Sequence, residues 1–353
     1  MTLQMVDPAR PETTAPHQPA PAPRTTQRRR KRLAWNIVLQ AAAMIAIGLL
    51  VYPEAASWVA RIGHNSEISG YIDRVDQTPS AERQRILDAA YAYNDELEPG
   101  PLTDPYISMT EDAVQRSGLY EAYEEMLRVS GTDAIGTLSY PAVDIGLPIY
   151  HGTSDEVISK GAGHMYGTSL PVGGPSTRSV LTAHSGLPQS ELFTPLHDAR
   201  DGDEFWISVL GEDHYYRVES TEVVEPGQTE SFRIIEGEDW VTLFTCTPTG
   251  VNSHRLLVHA VRIAGPEAAA REAIAGDGME LGFPWWAVWF TAGSGAVAWM
   301  LFTPARKKPR RAARGAQPQP SAQAQPSARP QPSSRPPSRT STVGESPPTP
   351  PPA

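Results

Sequence analysis

Hydrophobic residues follow three different patterns along this chain. From Leu33 to Tyr52 the string LAWNIVLQAAAMIAIGLLVY runs 20 residues without a charge, which as a helix spans roughly the 30 Å of a bilayer core. The pattern predicts a transmembrane helix over 33–52. Arg28, Arg29, Arg30, Lys31 and Arg32 stand immediately before it and hold residues 1–32 in the cytoplasm. A cleaved signal peptide is the competing reading, against which stand a long leading tail and the lack of an A-x-A site. A second uncharged run, Leu281 to Ala305, opens with Trp285, Trp286 and Trp289 and is followed by Arg306, Lys307, Lys308, Arg310 and Arg311. It predicts a second span over 281–303 running from outside to inside, with a buried helix as the alternative because Gly293-Ser294-Gly295 interrupts it. Both spans together place 53–282 outside the cytoplasm.

Between the spans the pattern changes twice. After Thr78-Pro79, apolar residues recur at helical spacing at Ile86, Ala90, Tyr93 and Leu97, with Thr78 as N-cap and Pro79 as the first helical residue. Thr110 is placed to cap a second helix through EDAVQRSGLYEAYEEMLRV, weakened by Gly118. From Ala134 onward short β-branched and aromatic runs take over, among them AIGTLSY, SVLTAH, DEFWISVL, HYYRVESTEVVE, WVTLFTC and RLLVHAVRIA, separated by Gly, Pro and Asp. Many short strands between turns predict a mainly β fold, a barrel or sandwich. The expected organisation is a tail over 1–32, a span over 33–52, a helical region over 53–133, a β domain over 134–265, a linker over 266–280, a span over 281–303 and a tail over 304–353.

Composition sharpens the ends of this picture. Of 35 prolines, 20 fall in 1–32 and 304–353, so both tails read as unfolded and low in complexity. The tails are basic and the middle strongly acidic within a net charge of −10. That argues against a nucleic-acid-binding core and for basic flanks with a purpose of their own; membrane lipid, and no nucleic acid, is the expected partner of the ends. One cysteine in 353 residues excludes internal disulfides, CxxC redox motifs and multi-cysteine zinc sites. No cofactor and no metal-ligand set is expected.

That cysteine, Cys246, follows the apolar run Val241–Phe244 and is bracketed by Thr245, Thr247 and Pro248. Strand pairing is expected to stop there and expose a strand end, although a lone cysteine among apolar residues is more often an inert small hydrophobe. A thiol nucleophile needs a proton partner. His151, His164, His184, His197, His214, His254 and His259 are available, and His184 lies at a comparable strand end before Ser185-Gly186-Leu187-Pro188. Arg255 starts the strand that a short loop returns towards Cys246, where a guanidinium could donate to a carbonyl oxygen gaining charge. An ordinary surface arginine fits the same spacing.

The strings TLFTCTPTGVNSHRLLVHA and VLTAHSGLPQSELF resemble the catalytic signatures of sortases, membrane-bound cysteine transpeptidases of Gram-positive bacteria. The resemblance covers about residues 134–264 and implies a sortase-like closed β-barrel. Within it Cys246 would be the nucleophile, His184 the general acid/base and Arg255 the oxyanion and substrate-positioning residue. GTLSYPAVDIGLPIYHGTSDEVISKGAGH is similar to the first strands of class C sortases, the pilin polymerases. Asp104-Pro105-Tyr106 resembles their lid (104–106), in which the Asp pairs with the arginine and the aromatic covers the cysteine; Phe or Trp is commoner than Tyr there. The resemblance implies cleavage of an LPxTG-like signal between Thr and Gly and transfer of the acyl group to a pilin lysine. At ordinary pKa values of about 8.5 and 6.5 the thiolate–imidazolium pair is only about 1% as populated as the neutral pair, so slow turnover or local tuning follows. Two enzymatic alternatives share the scaffold: a housekeeping sortase joining proteins to cell-wall precursor, and a cysteine hydrolase. A sortase substrate is the non-enzymatic alternative, but no LPxTG precedes Leu281 and Leu170-Pro171-Val172-Gly173-Gly174 lies mid-domain.

Overall fold

The computed structural model describes residues 24–97, 102, 104, 106, 118–265 and 282–303. Both tails, the 266–280 linker, Thr110 and Pro105 therefore lie outside the described residues, apart from the last residues of the first tail.

Helix α1 runs over Arg24–Gln77, straight through Pro53. It is far longer than the predicted 33–52 span because its second half has its own partner. Ile68, Tyr71 and Val75, one face at i, i+3 and i+7, are buried. The Tyr71 hydroxyl donates to the Ile135 carbonyl at 3.1 Å and accepts from the Leu210 amide at 2.9 Å. The first half is exposed instead: Leu49 and Leu50 are 71% and 82% accessible. Among the described residues, Arg28–Gln77 is the one helix long and apolar enough to cross a membrane.

Helix α2 covers Ser80–Glu96. Thr78 does not cap it; the Thr78 hydroxyl donates back to the Arg74 carbonyl at 2.8 Å, closing α1. Ala90 is buried as expected, with Leu87 and Asn94 beside it. Asn94 exchanges two hydrogen bonds with the Leu170 backbone, at 3.1 and 2.7 Å. Of the second expected helix, residues 118–129 are described: Gly118–Glu124 form α3, but the chain then turns over 125–127, with Leu127 at φ 56, so the helix stops short of the expected Val129.

The β domain is a closed eight-stranded barrel: β1 (Gly136–Tyr140), β2 (Ile145–His151), β3 (Ala162–His164), β4 (Thr177–Thr182), β5 (Glu204–Val209), β6 (Glu212–Val224), β7 (Asp239–Thr247) and β8 (His254–Arg262), ordered β1-β2-β3-β4-β7-β8-β6-β5. β2–β3 and β4–β7 are parallel, the other pairs antiparallel. A short helix α4 (Asp155–Lys160) joins β2 to β3. Alternation sorts the side chains into two clusters. Leu181, Val241, Leu243, Val258 and Ala260 join the main core, whereas Val180, Phe244 and Leu257 point to the other face and meet Met165 and Phe232.

Helix α5 (Trp285–Phe302) lies along α1 in the opposite direction. Asn36 donates to the Leu301 carbonyl at 2.7 Å, Gln40 to that of Ser294 at 3.1 Å and Trp58 to that of Gly282 at 2.8 Å. Four tryptophans and a Gly-Ser-Gly dilute its 18 residues, and it falls short of the hydropathy that α1 reaches.

Candidate active site

Register places the three expected residues on one face. Cys246 pairs directly with Arg255 across β7 and β8. Thr182 aligns with Phe244 across β4 and β7, so His184 and Cys246, each two residues further on, leave their strands at the same level. Side chains two apart share a face, which continues the Val180, Phe244 and Leu257 surface to His184, Cys246 and Arg255. Hydroxyls lace the two strand ends: Thr182 to the Phe244 carbonyl at 2.9 Å, Thr245 to that of Ala183 at 2.8 Å and Ser185 to that of Cys246 at 2.7 Å.

The expected exposed strand end is not exposed. β7 stays paired through Thr247, and Cys246 is 6% accessible. Arg255 Nε donates to Asp104 Oδ2 at 3.0 Å, with side chains 6% and 3% accessible, so this is a buried ion pair. The same oxygen of Asp104 accepts from the Gly227 amide at 3.2 Å, and Oδ1 accepts from the Tyr106 amide at 2.9 Å. The Tyr106 ring lies 5.8 Å from the His184 ring, 5.5 Å from that of Phe244 and 5.1 Å from the Arg255 guanidinium. Its hydroxyl donates to the Ala183 carbonyl at 2.9 Å. Leu102 packs beside it on the apolar face. Burial pushes the Cys246 thiol up, Arg255 pulls it down and Asp104 pushes it up again, with a raised value as the net.

Four of the remaining histidines serve elsewhere. His151 and His164 surround the buried Tyr123, His259 bonds Thr242, Arg178 and Glu222, and His214 bonds Arg262. His197 Nε2 lies 3.1 Å from the Thr247 hydroxyl. Sequence reasoning missed Asp155, whose Oδ1 lies 2.8 Å from His184 Nε2. The available signal was the helix start Ser154-Asp155-Glu156, inside a stretch read as strands. Among the described residues no cluster of three or more metal-ligating side chains occurs.

The family model for the sortase domain matches residues 138–263. Sortase A of Streptococcus agalactiae is 31% identical over 129 residues and sortase A of Bacillus anthracis 25% over 126, covering 36% and 35% of this chain. The matches span 51% and 57% of those proteins, about half the length of the curated relatives. Among solved structures, sortase C of Streptococcus pneumoniae is 40% identical with a TM-score of 0.51, covering 56% of this chain and 96% of that one. A pilus-related sortase C of Group B Streptococcus is 43% identical at 0.50, covering 55% and 96%. Sortase A from Corynebacterium diphtheriae is 38% identical at 0.52, covering 59% and 94%. A closed eight-stranded barrel, at 40% identity over nearly the whole of a solved sortase C, with cysteine, histidine and arginine on one face, means that this chain belongs to the sortase family.

Proposed function

We propose that this chain is a class C sortase, a cysteine transpeptidase that assembles pilin subunits. The observation that carries the reading is the Asp104–Arg255 ion pair with Tyr106 beside it, closing the face that bears Cys246 and His184. In the proposed reaction the Cys246 thiolate attacks the threonine carbonyl of an LPxTG-like signal, and Arg255 donates to the oxygen as it gains charge. The Thr–Gly C–N bond breaks, the glycine amine leaves with a proton from the His184 imidazolium, and a thioester remains. A pilin lysine attacks that thioester, His184 takes its proton, and the thiolate departs. Asp104 occupies the guanidinium that the oxyanion requires, so the closed arrangement is a resting state and the lid over 104–106 must leave.

The full reading has two spans, over 33–52 and 281–303, with both tails cytoplasmic and basic and the barrel outside. The antiparallel α1–α5 pair supports it, since Asn36 Nδ2 and Gln40 Nε2 each donate to an α5 carbonyl, linking the two helices where no water would be present. The S. agalactiae and B. anthracis relatives carry the name sortase A, which keeps the wall-anchoring alternative in play; the resolving nucleophile separates the two.

The test incubates the full chain in detergent with a candidate pilin carrying an LPxTG-like signal and an acceptor lysine. A Lys-linked ladder that is lost in Cys246→Ala is expected, with losses of orders of magnitude in His184→Ala and Arg255→Ala. Only hydrolysed pilin, or a ladder that persists in Cys246→Ala, would overturn the reading.

A further inference from the structure

We infer that Asp155 is a positioning residue that holds the His184 ring in one orientation and one tautomer. The inference rests on the proposed role of His184 as acid and base. His184 lies beyond the end of β4, so no ladder partner orients its ring. Helix α4 holds it at two points. The His184 backbone N–H donates to the Ile158 carbonyl at 3.3 Å, and Nε2 lies 2.8 Å from Asp155 Oδ1.

An ionised carboxylate only accepts, so Nε2 carries the hydrogen of this bond. In the neutral ring Nδ1 then holds the lone pair, and it is the nitrogen that takes and returns the proton of the reacting thiol and amine. When the ring becomes an imidazolium, the same carboxylate faces the new charge. Asp155 thus acts through His184 and touches no reacting atom.

The local fold prepares this arrangement. Ser154 caps α4, its hydroxyl accepting from the Val157 amide at 3.4 Å, so Asp155 is the first helical residue and its place is fixed. Ile158 is buried beneath the helix. β3 offers Gly163 at the contact, where a Cβ would stand 3.0 Å from Ile158 Cγ2, 3.1 Å from Val157 Cγ1 and 2.4 Å from the Gly152 carbonyl oxygen. A bare backbone there lets α4 approach β3 closely enough for Asp155 to reach His184. The Asp155 side chain is 91% accessible, so solvent screens its charge. Its contribution therefore lies mainly in selecting the tautomer, which sets an expected loss of about three- to tenfold in kcat when it is removed.

The test uses the full chain in detergent, labelled with ¹⁵N at the histidine rings, with His184→Ala identifying the His184 signals by their disappearance. The wild-type ring should show a hydrogen-bearing Nε2 and a bare Nδ1. In Asp155→Ala the signals should move to a tautomer mixture, and kcat for cleaving a peptide containing Leu-Pro-Glu-Thr-Gly should fall about three- to tenfold at unchanged KM. Asp155→Glu should restore both. An unchanged tautomer in Asp155→Ala, or a kcat loss that Asp155→Glu does not restore, would overturn the inference. Full turnover in His184→Ala would instead overturn the role of His184, so the two failures are told apart.

Discussion

Cys246 is held in its less reactive form by the residues that cover it. Burial raises its pKa and Asp104 adds to that, against the pull of Arg255. Asp104→Ala with Tyr106→Ala removes both upward influences and leaves the downward one. Alkylation of Cys246 should then be about tenfold faster or more, and its half-rate pH should move down. The Asp104–Arg255 pair is buried, and stripping one partner from such a pair costs about 3–5 kcal/mol unless water reaches the other. If the segment opens as the proposed lid, water reaches Arg255, so Asp104→Ala alone should already speed alkylation. An equal rate in wild type and double variant would contradict this. Three buried histidines make a second prediction. Burial pushes His151 down to about 3, and His164 and His214 to about 4, whereas in an unfolded chain each protonates near 6.5. Below that pH the unfolded state binds protons the native state refuses, at about 1.4 kcal/mol per unit of separation. Stability should be full above pH 6.5 and fall as pH drops towards 4, and calorimetry showing a flat Tm from pH 7 to 4 would refute it. Spacing alone left Cys246, His184 and Arg255 open beside the readings of an inert thiol, a structural histidine and a surface arginine; the resemblance of the two strings to sortase signatures singled them out, and strand register then brings them to one face. Asp155 was not legible, because it reaches His184 across 29 residues, through a helix that a strand-rich reading passed over.

At the scale of elements, short β-branched and aromatic runs between Gly, Pro and Asp made a barrel or sandwich readable from Ala134 onward, and the closed barrel followed from the resemblance. The length of α1 was not readable in the same way. Pro53 and the end of the uncharged run both suggest a stop, yet Tyr71 and Val75 secure the later turns on the barrel. Thr78 matched the capping rule but found the Arg74 carbonyl first. Two contacts between elements give a prediction about α4. With Gly163 packed against Val157, Ile158 and the Gly152 carbonyl, Gly163→Ala must push the helix outward. It should destabilise the chain by about 1–3 kcal/mol in denaturant titrations, and lower kcat by carrying Asp155 away from His184. Wild-type stability and turnover in Gly163→Ala would show that α4 has room to spare.

For the whole molecule, the proposed two-span topology, together with the one continuous helix that runs on into the barrel, would set the barrel on a stiff stem. Ile68, Tyr71 and Val75 join the stem to the barrel, whereas Leu49 and Leu50 stand exposed on the first half of α1, where the proposed topology puts lipid. The proposed topology predicts that protease added to intact protoplasts digests 53–282 and spares tags at both ends; loss of the C-terminal tag would remove the second span. The central claim, acyl transfer through Cys246, is tested most directly by mass spectrometry of the full chain mixed with a peptide containing Leu-Pro-Glu-Thr-Gly and an amine acceptor. The account predicts an acyl adduct ending in threonine, carried on Cys246 as a thioester, that disappears when the amine-linked product forms. Product formation without that adduct, and undiminished in Cys246→Ala, would contradict it.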